Sequence, residues 1–253
     1  ADVDQIKILV FYPTGGVSKI QNLQMCTQKG ANVRVVAVKG NFDDAQNGVK
    51  EIFSDKAFGE KLAAGNVKLS SANSINWGRL VPQIVYYFSA YADLLEKGTI
   101  AAGEAVDFCV PTGNFGDILA GYYAKRMGLP VAKLICASNS NNVLTDFLQT
   151  GVYDKKRDFY KTISPSMDIL ISSNLERLLY HETQDAALVR GWMEELAAKG
   201  RYEVGETVLQ NLKETFWAGW VDDVATKETI REVYEKEHYV LDTHSAVAYR
   251  VAQ

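Results

Sequence analysis

The sequence lacks the features that mark several classes of protein. Its 253 residues include 27 basic and 31 acidic side chains, a net charge of -4, and the basic residues are scattered along the chain. Nucleic-acid-binding proteins usually carry a basic patch or stripe, so no nucleic acid is expected as a partner. The longest apolar runs fall well short of the roughly 18 residues that a membrane-spanning helix needs, so no membrane partner is expected either.

Cysteine and histidine are also scarce. Cys26, Cys109 and Cys136 are widely spaced, and two of them lie in apolar, strand-like runs. This pattern is typical of reduced, buried thiols rather than of a disulfide framework. The three histidines form no H-E-x-x-H pattern and no Cys/His pair at metal-ligand spacing, so no metal site is predicted. Because the first residues do not resemble a signal peptide, the predicted location is the cytoplasm.

Apolar runs that alternate with helical segments predict an α/β protein with mainly parallel sheets flanked by helices. Residues 6–11 and 33–38 indicate a βαβ unit whose first strand is buried on both faces. Residues 67–71 indicate a third strand. Two βα units follow in tandem, with strands at 106–110 and 131–137.

Two domains are expected from this order of elements. Residues 1–75 form the βαβ part of a smaller α/β domain. Residues 76–253 form a larger α/β domain, which includes a mostly helical accessory region at about 151–240.

The stretch from 106 to 128, VDFCVPTGNFGDILAGYYAKRMG, has the pattern of strand, glycine turn and helix. Gly113 and Gly116 let backbone N–H groups approach a ligand, and the first N–H groups of the helix carry partial positive charge. Such a turn suits a phosphate, although neither G-x-x-x-x-G-K-[ST] nor G-x-G-x-x-G is present. It contains no lysine or arginine, so backbone dipoles and Asn114 would hold the anion. An ordinary strand-to-helix turn explains these residues equally well.

Two polar clusters also follow predicted strands. The first, SSANSIN, is explained either as a solvated loop in which Asn76 caps a helix or as part of a ligand cleft. The second contains Asn139, Asn141 and Asn142. Since the carboxyl ends of neighbouring parallel strands meet at one edge of a sheet, loops 112–117 and 138–142 are expected to face one pocket. Capping of the following helix by the asparagines is an equally good explanation.

At PTGNFGD, residues 111–117, the sequence resembles the threonine synthases. These are pyridoxal-phosphate (PLP) enzymes of fold type II, built like the tryptophan synthase β chain. The resemblance covers essentially the whole chain, and it includes 10–25, GNFDDAQ at 40–46, SSANSINWGRLVPQIVYYF at 70–88, KLICASNSNNVLTDF at 133–147, SPSMDILISSNLERLL at 164–179 and DTHSAVAY at 242–249.

The resemblance implies a lyase of threonine biosynthesis that uses pyridoxal phosphate to convert O-phosphohomoserine and water to threonine and phosphate. The larger domain would then be the cofactor domain. Residues that match the family's cofactor-phosphate loop are Thr112, Gly113, Asn114, Phe115, Gly116 and Asp117. Residues implied to line the substrate cleft are Ser71, Asn73, Ser74 and Asn76. Asp117 is unusual at an anion site, so its carboxylate is expected to point away from the phosphate while its N–H group faces inward.

The sequence also departs from the family pattern. It lacks the Phe-Lys-Asp context of the Schiff-base lysine, the Ser-Gly-Asp-Thr-Gly loop and the C-terminal segment that contacts the pyridine nitrogen. No catalytic residue is therefore assigned. We interpret the chain as a truncated internal portion of such an enzyme, inactive alone, that forms homo-oligomers through exposed edges. The alternatives are another enzyme of the same fold, such as a threonine or serine dehydratase, and a non-catalytic module that binds a phosphorylated small molecule.

Overall fold

The computed structural model describes residues 3, 5–17, 19–40, 42–73 and 76–253. The chain divides into two compact units, Ala1–Ser70 and Ser71–Gln253. We call them unit 1 and unit 2. Within the described residues, no helix is long and apolar enough to cross a membrane.

Unit 1 contains the predicted βαβ arrangement. Its elements are β1 (Ile8–Pro13), α1 (Lys19–Cys26), β2 (Val33–Val38), α2 (Phe42–Ser54) and α3 (Lys56–Ala64). The two strands are parallel, with Ile8 opposite Val33 and Pro13 opposite Val38. The predicted third strand at 67–71 is wrong, because these residues pair with neither strand. An apolar run becomes a strand only where a neighbouring backbone completes its hydrogen-bond ladder.

Strand β1 was also expected to be buried on both faces, and this expectation is wrong. Ile8 is 38% exposed and Leu9 is 61% exposed. Among the described residues of unit 1, Pro13 alone is buried. A two-stranded sheet with three helices does not enclose the apolar faces that its own sequence pattern sets up.

Unit 2 carries the remaining elements of the chain. They are α4 (Trp77–Leu80), α5 (Ile84–Glu96), β3 (Val106–Pro111), α6 (Gly116–Arg126), β4 (Val131–Ser138), α7 (Val143–Thr150), β5 (Val152–Asp154), α8 (Leu175–Thr183), α9 (Ala186–Lys199), β6 (Arg201–Glu203), α10 (Glu206–Thr215), β7 (Phe216–Trp220), α11 (Asp223–Glu237) and α12 (Thr243–Ala252). Single 3-10 turns at Val81–Gln83 and Pro165–Met167 interrupt them.

A parallel sheet forms the centre of unit 2. Its strand order is β3-β4-β7, and β4 pairs in parallel with both neighbours. The predicted α/β architecture with parallel sheets flanked by helices is therefore confirmed. Strand β7 was not predicted, because FWAGWV is too short to distinguish a strand from a buried turn. Strands β5 and β6 form a separate antiparallel ribbon inside the region predicted to be mostly helical.

Helices cover both faces of this sheet. On one face, Ile118, Leu119 and Leu134 are fully buried in the main core. A Cβ atom on Gly121 of α6 would lie 2.6 Å from the ring of Tyr87, so only glycine allows α6 to cross α5 this closely. On the other face, α12 packs Val247 into a smaller cluster. The two layers fix the carboxyl ends of β3 and β4 at one edge.

Candidate functional site

The turn between β3 and α6 is built around Phe115. This residue is the N-cap of α6, and its φ of 64° lies in the left-handed region that bulky residues rarely adopt. Such a conformation costs on the order of 1–3 kcal/mol and persists only where the surroundings enforce it. The Phe115 side chain is 1% exposed, and its ring centroid lies 5.6 Å from that of Phe216 in β7. Burial of the ring therefore holds the strained backbone in place.

Backbone N–H groups at the start of α6 are available to a ligand. Across the described ranges, no group accepts a hydrogen bond from the N–H of Phe115, Asp117 or Ile118. The N–H of Gly116 donates to Asn114 Oδ1 at 3.1 Å. Since the first N–H groups of a helix carry the positive end of its dipole, this turn is suited to an anion.

The carbonyl groups of the same turn are tied to the segment before α8. Ser172 Oγ donates to the Gly113 carbonyl at 3.1 Å. Asn174 donates to the Asn114 carbonyl through its backbone N–H at 3.1 Å and its Nδ2 at 3.0 Å. Sequence reasoning assigned no role to Ser172 or Asn174, and the available signal was only a polar run ahead of a helix. These contacts satisfy the carbonyls and leave the N–H groups for a ligand.

Gly113 is required by a close backbone neighbour. A Cβ atom at this position would lie 2.5 Å from the carbonyl oxygen of Ser166. Thr112, the residue before it, is buried and donates its hydroxyl proton to the Val110 carbonyl at 2.7 Å. Thr112 therefore stabilises the end of β3 locally.

The Asp117 side chain contacts α5. The Tyr87 hydroxyl lies 2.9 Å from the Asp117 carbonyl and 3.3 Å from its Oδ1. Burial raises the pKa of the Asp117 carboxyl group, and the hydrogen bond from Tyr87 acts in the opposite direction. Asn114, rather than Asp117, supplies the side-chain acceptor for the Gly116 N–H at the start of α6. Its orientation relative to a phosphate stays a prediction.

The polar segment ahead of α4 is folded on itself. Ser71 Oγ accepts a hydrogen bond from the Asn73 N–H at 3.1 Å, and Asn76 Nδ2 donates to the Ser71 carbonyl at 2.9 Å. Asn76 Oδ1 accepts from the Gly78 N–H at 3.0 Å, so Asn76 caps α4. Ser74 lies outside the described residues. A role of this segment in a substrate cleft stays a prediction.

The asparagines after β4 do not cap α7 with their side chains. Asn142 is the N-cap residue and makes no side-chain capping bond. Asn139 Nδ2 and Asn141 Nδ2 instead donate to Asp168 Oδ1 at 2.8 and 3.0 Å. The capping explanation is therefore wrong. The Thr112 N–H donates to the Ala137 carbonyl at 2.8 Å, so the turns after β3 and β4 start side by side.

Two buried hydroxyl groups in this region have no nitrogen or oxygen partner within the part of the chain that the structure describes. They are Ser138 Oγ, at the end of β4 beside the Cys136 thiol, and Ser173 Oγ, between the two residues that bind the turn. Buried polar atoms normally have a partner, so their presence here fits a polar ligand. No group of three or more His, Cys, Asp or Glu residues suited to a metal occurs among the described residues.

Comparison with known proteins identifies the family. A family model described as "Pyridoxal-phosphate dependent enzyme" matches residues 1–253. The chain belongs to the pyridoxal-phosphate-dependent enzyme family. Threonine synthase-like 1 of Homo sapiens is 44% identical over 255 residues, 99% of this chain and 34% of that protein. Threonine synthase of Pseudomonas aeruginosa is 41% identical over 251 residues, 99% of this chain and 51% of that protein.

A solved structure agrees with these matches. The PLP-bound threonine synthase from Brucella melitensis superposes with a TM-score of 0.83 at 42% identity, covering 98% of this chain and 57% of that chain. The present chain thus spans between a third and about half the length of the curated relatives named here. The prediction of pyridoxal phosphate as cofactor is confirmed at the level of the family.

The residues of the turn fit the phosphate group of this family's cofactor. Free N–H groups at Phe115, Asp117 and Ile118 supply donors, and the backbone at Gly113 carries no side chain. The buried hydroxyls of Ser138, at the end of β4, and of Ser173, in the segment that binds the turn, are further polar groups in this region. Because the turn contains no lysine or arginine, backbone dipoles would supply most of the attraction for a phosphate held there.

Proposed function

We propose that this chain is the part of a threonine synthase that holds the phosphate of pyridoxal phosphate. The complete enzyme would convert O-phosphohomoserine and water to threonine and phosphate, as a carbon–oxygen lyase acting on a phosphate ester. The observation that carries the proposal is the turn at 112–117, with its row of unpartnered N–H groups at the start of α6. Similarity to threonine synthases over nearly the whole chain supports it.

Each part of the turn has a separate task in this proposal. The N–H groups of Phe115, Asp117 and Ile118 bind the phosphate, and Gly113 keeps the neighbouring backbone close. Asn114 orients the Gly116 N–H. When bound, pyridoxal phosphate acts as an electron sink that allows protons to leave the substrate carbons and the γ-phosphate to depart.

The substrate side of the proposal rests on the SSANSIN segment. Ser71, Asn73, Ser74 and Asn76 would line the cleft and hydrogen-bond the substrate. No residue of this chain is assigned to proton transfer, so the chain alone is proposed to be inactive.

Binding of the cofactor phosphate can be tested by equilibrium dialysis of the purified chain. Pyridoxal phosphate is expected to bind, pyridoxal without its phosphate is expected to bind much more weakly, and inorganic phosphate is expected to compete. Equal affinity for pyridoxal and pyridoxal phosphate would contradict a phosphate site at this turn. Borohydride treatment of the complex should link the ligand to no single lysine; a defined lysine adduct would contradict the assignment of no catalytic residue.

The reaction itself is tested with the full-length protein encoded by the gene that contains this sequence. Phosphate release and threonine formation from O-phosphohomoserine are expected from that protein, and neither from the present chain alone. Ammonia release from serine or threonine, without phosphate release, would instead identify a dehydratase.

Assembly and location belong to the same proposal. We infer that copies of the chain associate through the exposed apolar residues of unit 1, such as Leu9 and Ile20. Light scattering should show a dimer or larger species, and a strict monomer would contradict this. Three free thiols fit a reducing compartment such as the cytoplasm, and imaging of a tagged protein tests that location.

A further inference from the structure

The reason for glycine at position 113 lies in a neighbouring turn. Gly113 is not among the residues with positive φ, so its own backbone conformation does not demand glycine. The demand comes from Ser166, whose carbonyl oxygen would lie 2.5 Å from an added Cβ atom. Ser166 belongs to the 3-10 turn Pro165–Met167, which we call the supporting turn. The position of the phosphate turn is therefore set partly by the supporting turn.

A buried polar network fixes one end of the supporting turn. Asp168 Oδ1 accepts hydrogen bonds from Asn139 Nδ2 at 2.8 Å and from the Thr162 hydroxyl at 2.7 Å. Asn139 Nδ2 also lies 3.0 Å from Ser164 Oγ. Because Asn139 and Ser164 are each 1% exposed, water does not compete for these contacts. The supporting turn is thus anchored to the loop after β4.

His244 of α12 holds the middle of the supporting turn. The Ser166 N–H donates to His244 Nε2 at 3.2 Å. Because Ser166 offers a proton, Nε2 must be the unprotonated nitrogen, which places the ring proton on Nδ1. His244 Nδ1 lies 3.3 Å from Asp242 Oδ1. The imidazole is therefore oriented at both nitrogens.

Asp242 is itself held in place by the start of α12. Its Oδ1 accepts hydrogen bonds from the N–H groups of His244 at 2.9 Å and Ser245 at 3.2 Å. Burial acts to raise the pKa of Asp242, but the hydrogen bonds from Ser245 and His244 outweigh it, and the pKa is lowered. The carboxylate is thus charged at neutral pH and favours the Nδ1–H form of the imidazole.

We propose that His244 is a positioning residue for the phosphate turn. Asp242 orients its ring, the ring fixes the Ser166 N–H, and the Ser166 carbonyl in turn sets the position of Gly113. The ligand affected is the phosphate monoester of the cofactor, so this inference rests on the proposed function. His244 contacts only the support in this scheme and takes no part in the reaction chemistry.

The first test needs no variant. Nitrogen-15 NMR of histidine-labelled protein is expected to show the His244 ring with its proton on Nδ1 and with Nε2 unprotonated. A His244 ring protonated on Nε2 would overturn the proposal, since that nitrogen could not accept the Ser166 proton.

The second test compares three variants of α12. In His244→Ala, the backbone amide resonances of Gly113 and Phe115 are expected to shift in the absence of ligand. The affinity for pyridoxal phosphate is expected to fall about three- to tenfold, which corresponds to the free energy of one hydrogen bond. His244→Gln, whose Oε1 can accept from Ser166, should restore both. Arg250→Ala is the matched control. Arg250 lies in α12 like His244, and its substitution removes an ion pair with Glu232 of α11. It should change neither the amide resonances nor the affinity.

The outcomes separate this inference from the proposed function. Unchanged Gly113 and Phe115 resonances and unchanged affinity in His244→Ala would overturn the positioning role, even if the variant melted at a lower temperature. If the wild-type chain binds neither pyridoxal phosphate nor inorganic phosphate, the proposed function fails, while the ligand-free resonances still decide the link between His244 and Gly113. If His244→Ala does not fold, the protonation state of the wild-type ring gives the decision.

Discussion

Units 1 and 2 both contain parallel strands and helices, but they differ in how completely the apolar residues of the strands are buried. In unit 2, Leu134 of β4 is fully buried between layers of helices, whereas Leu9 of β1 in unit 1 is 61% exposed. Both residues lie in apolar strands of a parallel pair. The difference shows that an apolar run predicts which surface has to be covered, whereas other elements of the chain have to supply the cover.

The largest expected effect is the difference in stability loss between a leucine substitution in unit 2 and one in unit 1. Leu134→Ala should lower the free energy of unfolding of unit 2 by about 2–5 kcal/mol, because it leaves a cavity in a packed core. Leu9→Ala should change the free energy of unfolding of unit 1 by about 0.5 kcal/mol or less, as for exposed sites. All four tryptophans of the chain lie in unit 2, so tryptophan fluorescence during urea unfolding measures unit 2. Hydrogen exchange of the peptide Ile8–Pro13 in the same urea series measures unit 1. An equal effect of the two substitutions would contradict the contrast.

Hydrogen exchange should show the same contrast without mutation. Amides of β1 and β2 are expected to exchange at least about tenfold faster than those of β3 and β4, because local opening is easier where little apolar surface is buried. Mass spectrometry of peptides from Ile8–Pro13 and Val131–Ser138 gives the measurement. Similar protection in both peptides would mean that unit 1 is covered in solution, for example by a second copy.

Pyridoxal phosphate is expected to stabilise unit 2 but not unit 1, and Gly113→Ala is expected to remove this stabilisation. An added Cβ would meet the Ser166 carbonyl at 2.5 Å, so the turn must shift. Affinity for pyridoxal phosphate is expected to fall about tenfold or more, as a misplaced set of donors no longer fits one phosphate. Gly191→Ala is the control, since nothing lies within 4 Å of that position and alanine is preferred in helices. Equal affinity of both variants would refute the role of Gly113.

The smallest effect is expected for Asp117→Asn. Asparagine keeps an acceptor for Tyr87 and removes a negative charge beside the proposed phosphate, so affinity should stay the same or rise by up to about threefold. Isothermal titration calorimetry gives this affinity. A large loss would show that the carboxylate takes part in binding.

The same variant tests the direction of a pKa shift. Burial raises the folded-state pKa of Asp117, so the charged form opposes folding above that pKa. Stability of the wild type should therefore increase as pH falls through it, and Asp117→Asn should lack this increase. Urea unfolding at a series of pH values, with both proteins compared, provides the measurement.

Sequence reasoning located those parts of unit 2 that depend on local order. The strand, turn and helix around Gly113 follow one another directly, so glycine spacing and apolar runs were enough to predict them. The supports of the turn come from distant parts of the chain. Tertiary packing brings these supports together, and it has no signature in a single sequence. The supports include Phe216, Ser172 and, through the supporting turn, His244. The strand predicted at 67–71 failed for a related reason, because pairing requires a partner that the sequence does not specify.

The dependence of Phe115 on Phe216 has a consequence for how the protein is made. A ribosome releases β3, α6 and β4 well before β7, and the ring that Phe115 packs against arrives only with β7. Until then the left-handed backbone at Phe115 has no compensation and should relax to an ordinary conformation. Nascent chains that end before residue 216 are therefore expected to contain the central helices without a formed anion cradle.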